Sequence, residues 1–355
     1  MPLDQYYLLG RSGLRVSRLA LGTMNFGTGG FHAAYGKTED EARPIFRKYL
    51  DEGGNFVDTA DFYTAGESET ILGKLIAETG ARDRVVLTTK FTNSVDPADP
   101  NAGGNGRKHM IRALEASLRR LGTDYVDLFL LHTWDRLTPV EEVVRTFDDL
   151  IRAGKIRYPG LSDVPSWYAA RAQTYAEAHS LAPMINLQLP YSLVQREIET
   201  EHVPMGRQLG LGITAWSPLA GGFLTGKYRN GGSGRFSDTD TAWTERDWQL
   251  LKPLEQAAAE LGVTMAQVAI NWVATQPGIA SAIVGASSAD QLGKSMAALD
   301  FEIPAEQRRL LDEASAVAPA SVYRMFTPEY QKWIVSPGLK VGDKPVGYAP
   351  VVRNW

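Results

Sequence analysis

The sequence predicts an α/β fold: a single (β/α)8 TIM barrel with an N-terminal β-hairpin and long loops on the C-terminal face. Three observations predict it. Short β-branched runs alternate with longer amphipathic segments, the pattern of parallel βαβ units. Eight such runs occur, enough for a parallel sheet to close on itself and leave no edge. One apolar run after another ends in a polar residue, as the working face of a barrel requires. An open doubly wound sheet is the runner-up. A length of 355 residues permits one large domain or two small ones, and the eight strand ends favour one domain over 1–355.

Tyr6–Ser17, with Gly10 and Gly13 at its turn, reads as the hairpin. Strands are expected at Val16–Leu21, Asn55–Asp58, Val85–Lys90, Val126–His132, Ile156–Ser162, Ile185–Leu189, Gly212–Trp216 and Ile279–Val284. In Pro139–Ala153, Val140, Val143, Val144, Phe147, Leu150 and Ile151 recur at helical spacing and form a core-facing stripe. Lys108–Leu121 likewise places Ile111, Leu114, Leu118 and Leu121 on one face. Glu39–Asp51, Ser68–Glu78, Trp167–His179, Glu245–Leu261, Met265–Gln276 and Asp290–Ala298 are compatible with helices. Met24–Lys37, Thr92–Arg107, Ser217–Thr244 and the tail from Pro319 exceed ordinary connection length. All four are expected to be irregular, and in a barrel such loops carry function.

Composition removes several function classes. Lys and Arg number 37 against 41 Asp and Glu, and a net charge of −4 argues against nucleic acid or an anionic membrane as the main partner. The absence of cysteine excludes disulfides, thiolate zinc sites, iron–sulfur clusters and a cysteine nucleophile. His32, His109, His132, His179 and His202 form no closely spaced pair, so no metal is expected. No run reaches the roughly 18 apolar residues of a spanning helix, and the first residues lack a basic then apolar leader. A cytoplasmic location is expected.

Two glycine patterns come close to nucleotide motifs. Gly210-Leu-Gly212-Ile-Thr-Ala215 has the letters of a dinucleotide fingerprint but leads into a strand instead of following one. Gly221–Lys227 nearly spells a P-loop, but Tyr228 stands where a hydroxyl must meet magnesium.

The strand ends hold the candidate chemistry. Asp58, Lys90 and His132 close three successive strands, and Tyr63 follows in the loop after the first. Alone, Asp58 reads as a turn cap, Tyr63 as a packed aromatic and His132 as a structural histidine. A lysine ending a buried strand needs a partner. Together they form an acid–base set: Asp58 holds Lys90, whose ammonium is expected to lower the Tyr63 phenol from about 10, and His132 orients a carbonyl oxygen. Hydride must then come from a nicotinamide, because no side chain donates one.

With these residues in place, the chain resembles an aldo-keto reductase over nearly its whole length. The most specific pieces are Asn55-Phe-Val-Asp-Thr-Ala-Asp-Phe-Tyr63, Leu87-Thr-Thr-Lys90, Asp127-Leu-Phe-Leu-Leu-His132, Gly154-Lys-Ile-Arg-Tyr-Pro-Gly-Leu-Ser162 and the stretch Trp216–Lys227. The resemblance implies that Asp58, Tyr63, Lys90 and His132 are the catalytic tetrad, with Tyr63 the general acid/base. It implies that Ser162, Asp163 and Gln188 bind the nicotinamide carboxamide, although the family usually carries Asn where Asp163 stands, and Asp donates only when protonated. Trp216 would stack on the nicotinamide. Ser217, Leu219, Gly221 and Lys227 would cover the pyrophosphate, with exposed N–H groups and a lysine suited to that task. Gly22, Thr23, Met24 and Asp58 complete the expected contacts at the nicotinamide end.

At the adenosine end the resemblance points to Gly285, Ser287, Gln291 and Ser295, with Arg235 and Lys294 as the available cations. NADP(H) is the implied cofactor. Neither Ser287 nor Gln291 is basic, so NAD(H) stays open. The implied activity is NAD(P)H-dependent interconversion of an aldehyde or ketone and its alcohol. The alternative is a cofactor-binding regulatory subunit resembling channel β-subunits. Phe26, Tyr63, His132 and Trp134 are expected to meet a small-molecule carbonyl or alcohol substrate. The pocket walls are expected from Met24–Tyr35, Phe91–Asn105, Trp134, Trp243 and the tail 319–355, whose aromatics favour a bulky apolar substrate. Oligomeric state stays open.

Overall fold

The structure, a computed structural model, describes residues 3–30, 35–229, 243–318, 320–327, 330 and 333–334. An antiparallel hairpin, β1 (Tyr6–Leu8) and β2 (Arg15–Ser17), leads into a closed barrel of eight strands. These are β3 (Leu19–Gly22), β4 (Phe56–Asp58), β5 (Val86–Phe91), β6 (Val126–Leu131), β7 (Ile156–Ser162), β8 (Asn186–Pro190), β9 (Gly212–Trp216) and β10 (Ile279–Val284). Every neighbouring pair is parallel, and β10 closes onto β3. The helices are α1 (Glu39–Asp51), α2 (Glu67–Thr79), α3 (Arg107–Leu121), α4 (Val140–Arg152), α5 (Ser166–Ala178), α6 (His202–Leu209), α7 (Glu245–Leu261), α8 (Met265–Ala274), α9 (Ala289–Met296) and α10 (Ala305–Ser315). α7 is inserted between β9 and the α8 crossover and packs against α10.

Two apolar cores follow from the period of two along each strand. Leu87, Phe91, Phe129 and Leu131 face outward and meet the helices, including the α4 stripe of Val140, Val143, Val144, Phe147 and Leu150. Burying a side chain of this size contributes about 1.5–3 kcal/mol. Phe56, Val86, Leu128 and Leu130 face inward with Leu9, Val16 and Ile185 of the barrel floor. The same parity that points Val86 inward points Lys90 inward, and Phe56 fixes Asp58 in the same way. The apolar floor and the polar mouth thus come from one alternation read at two heights.

The hairpin closes the floor. Gly10 has φ +59, and a Cβ there would lie 2.4 Å from the Ile185 carbonyl and 2.6 Å from that of Gly210. Only glycine combines that conformation with that approach. Arg11 N–H donates to the Gly210 carbonyl at 2.7 Å and fixes the turn against the ends of β8 and β9. α1, α7 and α8 each start with a capping box, from Thr38, Thr244 and Thr264, and such a cap contributes about 1 kcal/mol.

The structure differs from the expected elements at five places. Val16–Leu21 is two strands: the chain leaves the hairpin at Ser17, passes through half-buried Arg18 and joins the barrel at Leu19. α6 carries Pro204 and Gly206 and buries only Gly206, so it has no apolar stripe to read. α10 buries only Leu311 and Ser315. The loop from Ser217 is not wholly irregular, since Ala220–Thr225 forms 3-10 turns. Of the tail, Ser321–Phe326 is a 3-10 turn, and most of 319–355 lies outside the described residues. No described helix is long and apolar enough to cross a membrane.

Candidate active site

The barrel mouth gathers Asp58, Tyr63, Lys90 and His132. Asp58 ends β4, Lys90 is the penultimate residue of β5, and His132 follows β6. Lys90 Nζ, fully buried, donates to Asp58 Oδ1 at 2.6 Å, the Thr59 carbonyl at 2.8 Å and the Tyr63 hydroxyl at 3.2 Å. Tyr63 and His132 meet edge to face with ring centroids 5.8 Å apart.

Tyr63 starts a turn, Tyr63–Gly66, that runs through the left-handed region at Thr64 (φ 48), Ala65 (φ 58) and Gly66 (φ 90). Left-handed conformations in residues with a Cβ cost about 1–3 kcal/mol each and persist where the surroundings hold them. Here Thr64 Oγ1 accepts from Ser68 N–H at 2.9 Å and donates to the Phe26 carbonyl at 2.6 Å. Ser68 Oγ in turn bonds Thr23 and Thr59. The turn is therefore tied to β3 and β4, and with it the Tyr63 ring.

The electrostatics differ from the expectation for Tyr63. Burial pushes its phenol above the ordinary value, and Lys90 pulls down without cancelling it, while Asp58 and Asp163 add to the rise. Burial works to lower Lys90, but Asp58 and Tyr63 outweigh it and hold the ammonium above its ordinary value. Burial, helped by Lys90, pushes His132 well below the ordinary imidazole range, so it is neutral near neutrality, and its Nδ1 is buried without a partner.

The other expected residues divide. Ser162 Oγ is buried at the end of β7 without a partner, and Trp216 ends β9 with its indole N–H on Asp163 Oδ1 at 3.0 Å. Gln188 faces the same interior but donates Nε2 to Asp58 Oδ2 at 2.8 Å. Gly22 ends β3 opposite Asp58, and Met24 follows in the loop. Ser217 has φ 56, and its Oγ accepts from Gly221 N–H at 3.2 Å. Leu219 packs partly buried on the core, and Lys227 lies over Tyr228 with Nζ 5.0 Å from the ring. Gly285 follows β10. Ser287 donates both N–H and hydroxyl to Gln291 Oε1 at 2.6 Å, and Ser295 donates to the Gln291 carbonyl at 3.1 Å. Arg235 lies outside the described residues.

Two expectations are corrected. Thr23 is fully buried, with N–H and hydroxyl both on the Asp58 carbonyl, so it braces β4. Phe26 has no exposed surface and packs in the core, so it presents no face to a substrate. Trp243, expected at the pocket wall, is half-buried and stacks on Phe223 at 4.1 Å. Trp134 packs edge to face on Trp167 at 5.4 Å beside the mouth. An open cleft of about 430 Å³ lies behind the Tyr63 turn, lined by residues such as Thr28, Glu67, Lys74 and Arg120, and includes none of the tetrad.

A buried acidic cluster behind Lys90 was not anticipated. Glu69 accepts from Thr89 Oγ1 at 2.5 Å and pairs with Arg120 at 2.6 Å. Asp61 lies buried nearby with no side-chain donor on either oxygen. Its place three residues after Asp58 was the only available signal. Burial, with Glu69 adding to it, pushes Asp61 up to about 8. A folded-state value above the unfolded one, about 4, means the native state holds the proton more tightly. That contribution is fully present below about pH 4 and is lost as pH rises through about 8. Asp61→Asn is therefore expected to flatten the fall of Tm across that range, and parallel Tm–pH curves for the two proteins would contradict it.

A model of the aldo/keto reductase family matches residues 18–316. The chain is 38% identical over 319 residues to an uncharacterized oxidoreductase, YrpG, of Bacillus subtilis, covering 87% of this chain and 95% of that one. It is 36% identical over 334 residues to a probable voltage-gated potassium channel subunit beta of Oryza sativa, covering 90% and 98%. It is 32% identical over 303 residues to the norsolorinic acid reductase stcV of Emericella nidulans, covering 83% and 77%.

Proposed function

The chain belongs to the aldo/keto reductase family, and from that premise we propose that it interconverts an aldehyde or ketone and the corresponding alcohol, with a nicotinamide cofactor and Tyr63 as general acid/base. The observation that carries this reading is the buried Lys90 Nζ shared by Asp58 Oδ1 at 2.6 Å and Tyr63 OH at 3.2 Å. Lys90 donates to the phenol oxygen, so the phenol is the acceptor in that bond and keeps its own proton to give. Burial keeps that phenol protonated, as an acid awaiting a carbonyl oxygen must be. When the proton leaves, the phenolate is left beside an ammonium that Asp58 keeps charged. Neutral His132 orients the carbonyl oxygen and does not compete as the acid.

The residues present fit a nicotinamide cofactor. Ser162 Oγ is a buried hydroxyl without a partner at the mouth, suited to a carboxamide. Asp163 and Gln188 flank it, and Trp216 offers a ring face. Ser217, Leu219, Gly221 and Lys227 form a glycine-bearing turn with a cation at its end, suited to a pyrophosphate. Gly22 and Met24 lie at the nicotinamide end, and Gly285, Ser287, Gln291 and Ser295 would hold the adenosine. When bound, the cofactor supplies or receives the hydride.

The test follows consumption of reduced cofactor with a panel of aromatic and aliphatic aldehydes and ketones. NADPH is expected to exceed NADH in kcat/KM by about tenfold or more. An equal preference for NADH would overturn NADP(H) as the cofactor. The relative named as a channel subunit beta supports a second reading, a cofactor-binding regulatory subunit. Tight retention of cofactor with no turnover of any carbonyl in the panel would favour it.

A further inference from the structure

We propose that Asp163 sets this chain's preference between the redox states of its cofactor, holding the oxidised, cationic nicotinamide more tightly than the reduced, neutral one. The inference rests on the functional reading above and concerns a property that reading does not fix. Asp163 follows β7 with φ 46, in the left-handed region. Its N–H donates to the Gln188 carbonyl at 3.2 Å, and its carbonyl accepts from Trp134 N–H at 3.3 Å. The residue is thus fixed between the ends of β6, β7 and β8. The residue is half-buried at the mouth, and its carboxylate accepts one neutral donor, the Trp216 indole, on Oδ1.

No cation among the described residues forms an ion pair with Asp163. Lys90 on β5 influences it electrostatically, but Lys90 is already paired with Asp58. The other ionisable groups toward it are Tyr63, whose phenol its charge pushes up, and His132, which burial keeps neutral. β8 and β9 present only the Gln188 amide and the Trp216 indole. The mouth therefore holds an anion without a counterion beside Ser162 and Trp216, the residues assigned to the nicotinamide. In a site partly shielded from water, a positive ring gains attraction that a neutral ring does not.

Burial pushes Asp163 up to about 6, with the Trp216 hydrogen bond and Lys90 pulling the other way. The discrimination is consequently full above that pH and fades on acidification, as Asp163 becomes neutral. By reciprocity, the oxidised cofactor holds Asp163 ionised to lower pH.

The test measures Kd of the full chain for NADP+ and NADPH by tryptophan fluorescence at about pH 5 and about pH 8, at constant ionic strength. The 2′-phosphate is common to both ligands, so its titration cancels in their ratio. In the wild type, Kd for NADPH relative to NADP+ is expected to be roughly tenfold higher at the upper pH. In Asp163→Asn the ratio is expected to stay flat, at the wild type's acid value. A flat ratio in the wild type overturns the proposal whether or not the variant folds, as does an unchanged pH-dependent ratio in Asp163→Asn. Where the chain prefers NAD(H), the same ratio is read with NAD+ and NADH; failure of the wild type to bind either form of either cofactor overturns the functional reading itself, and the inference with it.

Discussion

Lys90→Met is expected to abolish measurable turnover and to destabilise the fold by about 3–5 kcal/mol, the cost of stranding one partner of a buried ion pair. The side chain of Lys90 is 0% exposed and that of Asp58 4% exposed. Methionine fills much the same volume, so the loss comes from charge and not from a cavity. Asp58 would keep the Gln188 amide at 2.8 Å, too little for a buried carboxylate. The double variant Asp58→Asn/Lys90→Met separates the two effects. It is expected to recover much of the stability, because no buried charge is left unpaired, and none of the activity. Denaturant unfolding with a turnover assay measures both. A single variant within about 1 kcal/mol of wild type would mean that water reaches the pair.

Tyr63→Phe is expected to lower kcat by about 10²-fold or more, the scale for removing a general acid. The fold should survive, since Lys90 keeps Asp58 at 2.6 Å and the Thr59 carbonyl at 2.8 Å. Tm and cofactor Kd should stay close to wild type, because the change removes one hydroxyl and leaves the ring and the Lys90–Asp58 pair in place. Unchanged turnover would remove Tyr63 from the chemistry. A matching loss of cofactor binding would make it a structural residue.

The tetrad was legible in the sequence for a simple reason. Each member ends or follows an apolar run, and alternation along a strand assigns it a face. Val86 inward forces Lys90 inward, with no further information needed. Gln188 shows the limit of the same reasoning: its face was right, but its amide is engaged by Asp58, a partner 130 positions away. Phe26 and Thr23 show it again. Both lie in loop or strand-end sequence beside the expected site, and only packing reveals that they are buried in its support. The electrostatic reading of Tyr63 omitted burial, which a chain of letters does not display, and burial outweighs the ammonium. The Asp61–Glu69–Arg120 cluster escaped because Arg120 comes from a helix far along the chain, and no local spacing links it to the other two.

The sequence by itself determined the period, the number of strands and the polar residues at their ends, because these depend on local alternation and amphipathic spacing. From them came the closed barrel and the identity of the four central side chains. The tertiary structure alone decided which donors are spent and which remain available, since hydrogen-bond partners and burial depend on closure of the barrel, not on neighbours in sequence. Closure puts Gln188 on Asp58, leaves the Ser162 hydroxyl without a partner, and sets Asp163 at the mouth with the Trp216 indole and, among the described residues, no ion-paired cation.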